Sequence, residues 1–128
     1  MPIIIISSDS YKTGREIGEK TAKATGYDYV DREILRPVAE KFNVQEENLI
    51  KALDEAPSFL GLSSKLRNKC LACIQEATLG HLLADNVVCH GLAAHLYVLG
   101  VSHALKVRVL PDPEELASQL SLEAGSLP

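Results

Sequence analysis

"IIIISSDSYKTGREIG", residues 3–18, is the stretch on which the fold turns. Ile3 to Ile6 is a continuous β-branched run with no polar alternation, which reads as a strand buried on both faces. Beyond a polar break, Gly14 to Thr25 places Ile17, Thr21 and Ala24 along one helical face, and Gly26 follows as a C-terminal stop. A strand, a tight loop and a helix, in that order, is where a glycine-rich phosphate loop is found. Here Gly14 is the only glycine before the helix, and Arg15 follows it in place of a lysine. The stretch is a phosphate loop, the remnant of one, or an ordinary turn.

Outward from it, "YDYV" (27–30) reads as a short strand. Ile34, Leu35, Val38, Ala39 and Phe42 recur at helical spacing, and Pro37 within them bends the helix or delays its start. A short helix is expected over 45–56, ended by Pro57, and a loop over 57–64. Ser64 opens a long helix through Ala84, with Leu66, Cys70, Cys73, Ile74, Ala77 and His81 on one side. Strands follow at 86–90 and 104–110, then a helix over 111–120 with prolines at its entry. The order predicts one α/β domain over 1–120, a parallel sheet covered by helices on both faces, and a flexible tail over 121–128. The loops at 7–14, 31–33 and 90–93 all follow strands. They should converge on the rim where such sheets bind ligands.

Composition narrows the classes. The 128 residues carry a formal charge of −4, which argues against a dedicated nucleic-acid binder. No apolar run approaches the roughly 20 residues that span a bilayer, and "MPIIII" lacks a basic leader region, so no membrane partner and a cytoplasmic location are expected. Cys70, Cys73 and Cys89 read as free, mostly buried thiols. The Cys70-x-x-Cys73 spacing lies inside a helical pattern with no second pair, which favours packing over zinc or redox chemistry. His81, His90, His95 and His103 match no familiar metal spacing, so no metal site is expected and structural roles are assigned to His90 and His95.

The segment from Ile3 through "YDYVDREIL" resembles the start of the cytidylate-kinase-like family of P-loop nucleotide kinases, whose members typically read I-S-R-x-Y-G-S-G-G-R-E-I-G and later Y-x-Y-x-D-R/K-E-I. "NVVCHGLAAHLYVLGVSHALKVRVLPDPEEL" is similar to that family's later strands, and the likeness runs in the same order to about Leu116. It implies a three-layer P-loop kinase-like fold with the first strand between those at 86–90 and 104–110. It implies ATP with Mg2+ as cofactor, and phosphate or nucleotide binding at Lys12, Thr13, Gly14 and Arg15. Asp31, Arg32 and His90 would lie on the acceptor side. The residues also allow plainer roles, with Asp31 capping the next helix and Arg32 and Glu33 as first-turn charges. A cation at a helix start, as at Arg15, is unfavourable and needs a reason.

Three departures from the family pattern bear on activity. Tyr11 and Thr13 stand where two loop glycines are expected, although glycine is what lets backbone amides approach phosphates closely. The family's G-R aligns with His90-Gly91, so an acceptor-side cation is replaced by a group that is mostly neutral at pH 7. No Lys or Arg occurs beyond Arg108, so the lid arginines and last strand of such kinases have no counterpart here. An arginine in that role supplies a factor of about 10³–10⁵ in rate. The expectation is a degenerate, non-catalytic domain (a pseudoenzyme) that binds phosphate or nucleotide weakly or acts as a regulatory module. The alternatives are an active (d)CMP or nucleoside monophosphate kinase, if this is a fragment of a longer chain, and a protein–protein interaction domain with no ligand. A homo-oligomer or a further domain would be the partner in such cases.

Overall fold

The computed structural model describes residues 2–54, 61–110 and 114. Its elements are β1 (Ile3–Ser8), α1 (Tyr11–Thr25), β2 (Asp28–Val30), α2 (Leu35–Phe42), α3 (Glu46–Asp54), α4 (Ser64–Leu82), β3 (Val87–His90) and β4 (Ala104–Val109), with 3-10 turns at Arg32–Ile34 and Ala94–Leu96. The four strands form one parallel sheet in the order β2-β3-β1-β4. β1 is central, as expected, with Ile3 level with Val87 and Ala104, and Ile6 level with His90 and Val107.

The unbroken isoleucine run follows from that position. Ile3 and Ile5, with Val87 and Cys89, face the core that α2, α3 and α4 build. Ile6 and Val88 face the other way, onto Ala22 of α1. A strand covered on both faces has no polar side to alternate with. Each such isoleucine contributes about 1.5–3 kcal/mol by leaving water.

Several boundaries differ from the sequence reading, each for a local reason. α1 begins at Tyr11, three residues before the predicted Gly14, because Ser10 is in extended conformation and its side chain accepts from the Thr13 N–H. Its buried face is Gly14, Gly18 and Ala22, whereas the predicted Ile17, Thr21 and Ala24 are not buried. Small residues let the helix lie close to the sheet. Gly26 caps the helix as expected, at φ 76°, donating to the Ala22 carbonyl at 2.8 Å. Pro37 delays α2 instead of bending it: the 3-10 turn comes first, and the proline falls in the opening turn, where its missing N–H has no helical partner to lose.

α4 opens at Ser64 as expected, capped by the Ser63 side chain, which accepts from the Leu66 N–H, and it ends at Leu82 instead of Ala84. Its buried stripe runs Cys70, Cys73, Ile74, Thr78 and Leu82, which leaves His81 exposed. At 3.6 residues per turn the stripe drifts past His81 by the last turn. The Thr78 hydroxyl has no hydrogen-bond partner among the described residues. Asp85 and Asn86, at φ 54° and 51°, then reverse the chain into β3. All three cysteines are free and buried, and burial pushes the Cys89 thiol up to about 12. Apart from Glu114, which is helical, the expected helix at 111–120 lies outside the described residues, as do the tail at 121–128 and parts of the expected 45–56 helix and 57–64 loop. No helix among the described residues is long and apolar enough to cross a membrane.

Candidate functional site

Between β1 and α1 only Asp9 and Ser10 intervene, so the expected phosphate loop is a helix cap. The Ser10 N–H donates to Ser8 Oγ at 3.2 Å, and the Gly14 N–H donates to the Ser10 carbonyl at 3.0 Å. Lys12, Thr13, Gly14 and Arg15 all lie at the start of α1. The side chains of Tyr11 and Thr13 explain the change. They disfavour the left-handed backbone that loop glycines supply, and Ser10 offers a cap instead. Gly14 itself is helical and is not one of the left-handed glycines, which among the described residues are Gly26, Gly91 and Gly100.

Gly14 has a different use. A Cβ there would stand 2.2 Å from His90 Nε2, and one at Gly18 would stand 2.6 Å from Tyr29 Cε1. The two glycines of "GREIG" are therefore the seat against which two rings from the sheet rest. The Tyr11 ring stacks on His90 with centroids 5.2 Å apart. Asp31, 2% exposed, binds the group together. Its Oδ2 accepts from the phenols of Tyr11 at 2.9 Å and Tyr29 at 3.0 Å, and its Oδ1 accepts from the Glu33 N–H at 2.8 Å. Tyr29 Oη also lies 3.4 Å from His90 Nδ1. Asp31 thus caps the turn, and its carboxylate is occupied by this chain's own donors.

The two arginines sit at the margin of this cluster with acidic partners. Arg15 Nε contacts Glu19 at 2.8 Å, and its Nη2 contacts Glu33 at 2.6 Å, which accounts for a cation at a helix start. Arg32 makes a two-point pair with Asp54 and lies 5.9 Å from the centre of the Tyr11 ring. That pair holds the Asp54 carboxyl below the usual carboxylate range. Among the described residues Lys12 makes no ion pair. Burial, and then the hydrogen bond and charge of Asp31, raise the phenols of Tyr29 and Tyr11. The start of α1, as this chain arranges it, has no room for a triphosphate. Two of its N–H groups are already bonded, and His90, with Tyr11 stacked on it, fills the space at Gly14.

Burial lowers the His90 pKa, against the opposing charge of Asp31 and with help from Arg32 and Arg15. The unfolded chain then takes up this proton first as pH falls. The stability contributed by neutral His90 is complete above its unfolded value of about 6.5 and is lost as pH drops towards the folded value. Urea midpoints at pH 7.5, 6.5 and 5.5 should fall faster for the wild type than for His90→Asn. Equal slopes would mean that His90 is solvated.

A cleft of about 440 Å³ opens at the carboxyl ends of β1, β3 and β4. Ser7, Ser8, Arg32, Lys106 and Arg108 supply its polar wall, and the loop after β3 closes one side. In that loop Gly91, Leu92 and Ala93 are all left-handed, at φ 75°, 60° and 57°. For the two non-glycine residues this costs of order 1–3 kcal/mol each. The three expected loops do converge, since Ser7, Arg32 and Gly91 share this wall. His95 lines it too and is exposed, not a core residue. Tyr29 and Lys106 were not singled out from the sequence, Tyr11 was noted only as a residue in place of a loop glycine, and Arg108 only as the last cation. The alternation in "LKVRV" was the signal for Lys106 and Arg108, because it puts both cations on one face of β4.

The cytidylate kinase-like family matches residues 3–121. An uncharacterized protein from Eubacterium ventriosum ATCC 27560, known from a crystal structure, shares the fold with a TM-score of 0.54 at 13% identity. The match covers 99% of this chain and 64% of that one, so this chain spans less than two thirds of its structural relative. No curated protein matches.

Proposed function

Because the chain belongs to the cytidylate kinase-like family, we propose that it is a nucleotide-kinase-like domain that no longer transfers phosphate and retains weak binding of phosphate-bearing ligands in a regulatory role. One observation carries this reading: Tyr11 stacks on His90 over Gly14, where the family's loop would cradle a triphosphate. Phosphoryl transfer depends on positioning and on charge stabilisation by groups aimed at the transferring phosphate. Arg15 and Arg32, at the margin of that cluster, are each engaged by carboxylates, which leaves Lys12 as the cation without an ion pair among the described residues at the start of α1. His90 is held towards its neutral form by burial. Nucleotide and Mg2+ use, general in the family reading, is therefore reduced here to phosphate recognition.

Purified protein, controlled for contaminating kinases, should give no transfer from ATP to CMP, dCMP or UMP above background. Turnover would overturn this reading in favour of an active monophosphate kinase. Failure to bind any phosphate compound would leave the fold as a surface for protein contact.

A further inference from the structure

A protein with a formal charge of −4 gathers Arg32, Lys106 and Arg108 around one cleft, and among the described residues no carboxylate lines its wall, Asp54 and Asp9 pairing with the two arginines from outside it. Lys106 is level with Ile5 of β1, and Arg108 with Ser7. The two cations lie two residues apart on one strand, so they share a face and stand about 7 Å apart along it. The Ser7 and Ser8 positions add hydroxyl groups, and Leu53, Leu92 and Val107 add an apolar flank.

We infer that this cleft binds a phosphomonoester, with Lys106 and Arg108 on the phosphate dianion and the apolar flank against its organic part. The inference rests on the reading that the domain retains phosphate binding without transfer, and it moves the contact from the start of α1 to β4. Lys106 has no ion pair among the described residues. Arg108 is held at 2.5 Å by Asp9, with side chains 56% and 70% exposed. An exposed pair of that kind contributes little, so a dianion that engages Lys106 as well displaces the single carboxylate of Asp9. Arg32 differs, because its two-point pair with Asp54 fixes it as part of the wall.

Size and charge set the ligand class. Small-molecule pockets run from about 300 to 1,000 Å³, and this one is near the lower end. It suits one phosphate with a single small body. A nucleic-acid strand is disfavoured, since binding one draws on a row of phosphate contacts and a basic stripe, and the net charge here is negative.

The test is titration calorimetry of the full chain with phenyl phosphate and inorganic phosphate at low salt, with phenol as the uncharged control. Phenyl phosphate should bind, inorganic phosphate more weakly, and phenol not at all. Lys106→Ala and Arg108→Ala should each weaken binding on the order of tenfold, the share of one charged hydrogen bond. Asp9→Asn should strengthen it severalfold by freeing Arg108, a gain that misfolding cannot produce. Lys23→Ala controls for the loss of one unit of charge. Binding lost in Lys12→Ala but unchanged in the Lys106 and Arg108 variants would overturn the cleft assignment and leave weak phosphate binding standing. No binding of either phosphate by the wild type would overturn the assignment outright. ATP-dependent turnover, measured separately, sinks the non-catalytic reading whatever the cleft variants show.

Discussion

Replacing Asp31 with alanine is expected to lower the free energy of unfolding by about 3 kcal/mol. The carboxylate is 2% exposed and accepts three hydrogen bonds, from two phenols and one backbone N–H. Hydrogen bonds to a charged group contribute about 1.5–3 kcal/mol each. Their sum is not recovered in full, because Tyr11 is 41% exposed and its hydroxyl can turn to water. Tyr29 is less able to do so, resting against Gly18. Asp31→Asn keeps the shape and part of the acceptor capacity, and should cost roughly half as much. Urea unfolding with an unchanged m-value is the measurement. A loss below about 1 kcal/mol for the alanine variant would mean that the cluster is wet and does not fix the start of α1.

Gly14→Ala should reverse the usual sign of its substitution. In a helix interior alanine is better than glycine by about 1 kcal/mol. Here the new methyl group would stand 2.2 Å from His90 Nε2, and that ring is 3% exposed and stacked on Tyr11. Overpacking of this kind costs about 1–3 kcal/mol, and a net loss near 2 kcal/mol is expected because the buried ring must leave its seat. The same change made in a His90→Ala background should be neutral or stabilising, since the propensity gain then acts alone. The double-mutant cycle separates this from the other explanation of Gly14. If the glycine served only close approach to a phosphate, alanine would be stabilising in both backgrounds.

The sheet was legible because its signals are local or nearly so. Ile3 to Ile6 could only be a strand buried on both faces, and its central place between β3 and β4 followed from the family likeness. Boundaries set by a single cap were less so. Read through the resemblance, Ser10 to Thr13 was a loop. By its own chemistry it is a serine cap followed by residues that favour helix. The buried face of α1 was missed because apolar spacing looks for large side chains, and this helix packs through Gly14, Gly18 and Ala22. His90 and Asp31 were both singled out, each with a structural role beside an acceptor-side one, and Asp31 does cap the turn after β2. Their actual partners, Tyr11 and Tyr29, meet them only after β1, β2 and β3 are brought side by side. No periodicity along the chain carries that information.

The central position of β1 has a consequence for how the chain reaches its native state. β1 comes first in the sequence, yet its two neighbours are β3 and β4, the last strands among the described residues. Pairing of this kind between distant segments closes long loops before it is rewarded, and it is slow. During synthesis on a ribosome, Ile3 to Ile6 therefore emerges long before Val87–His90 and Ala104–Val109 exist to cover it. For that interval it is a short, uncharged, β-branched segment with open edges, the kind that pairs with other copies of itself. Asp9 and Lys12 lie close behind it, where charged residues act as gatekeepers that keep nascent chains apart.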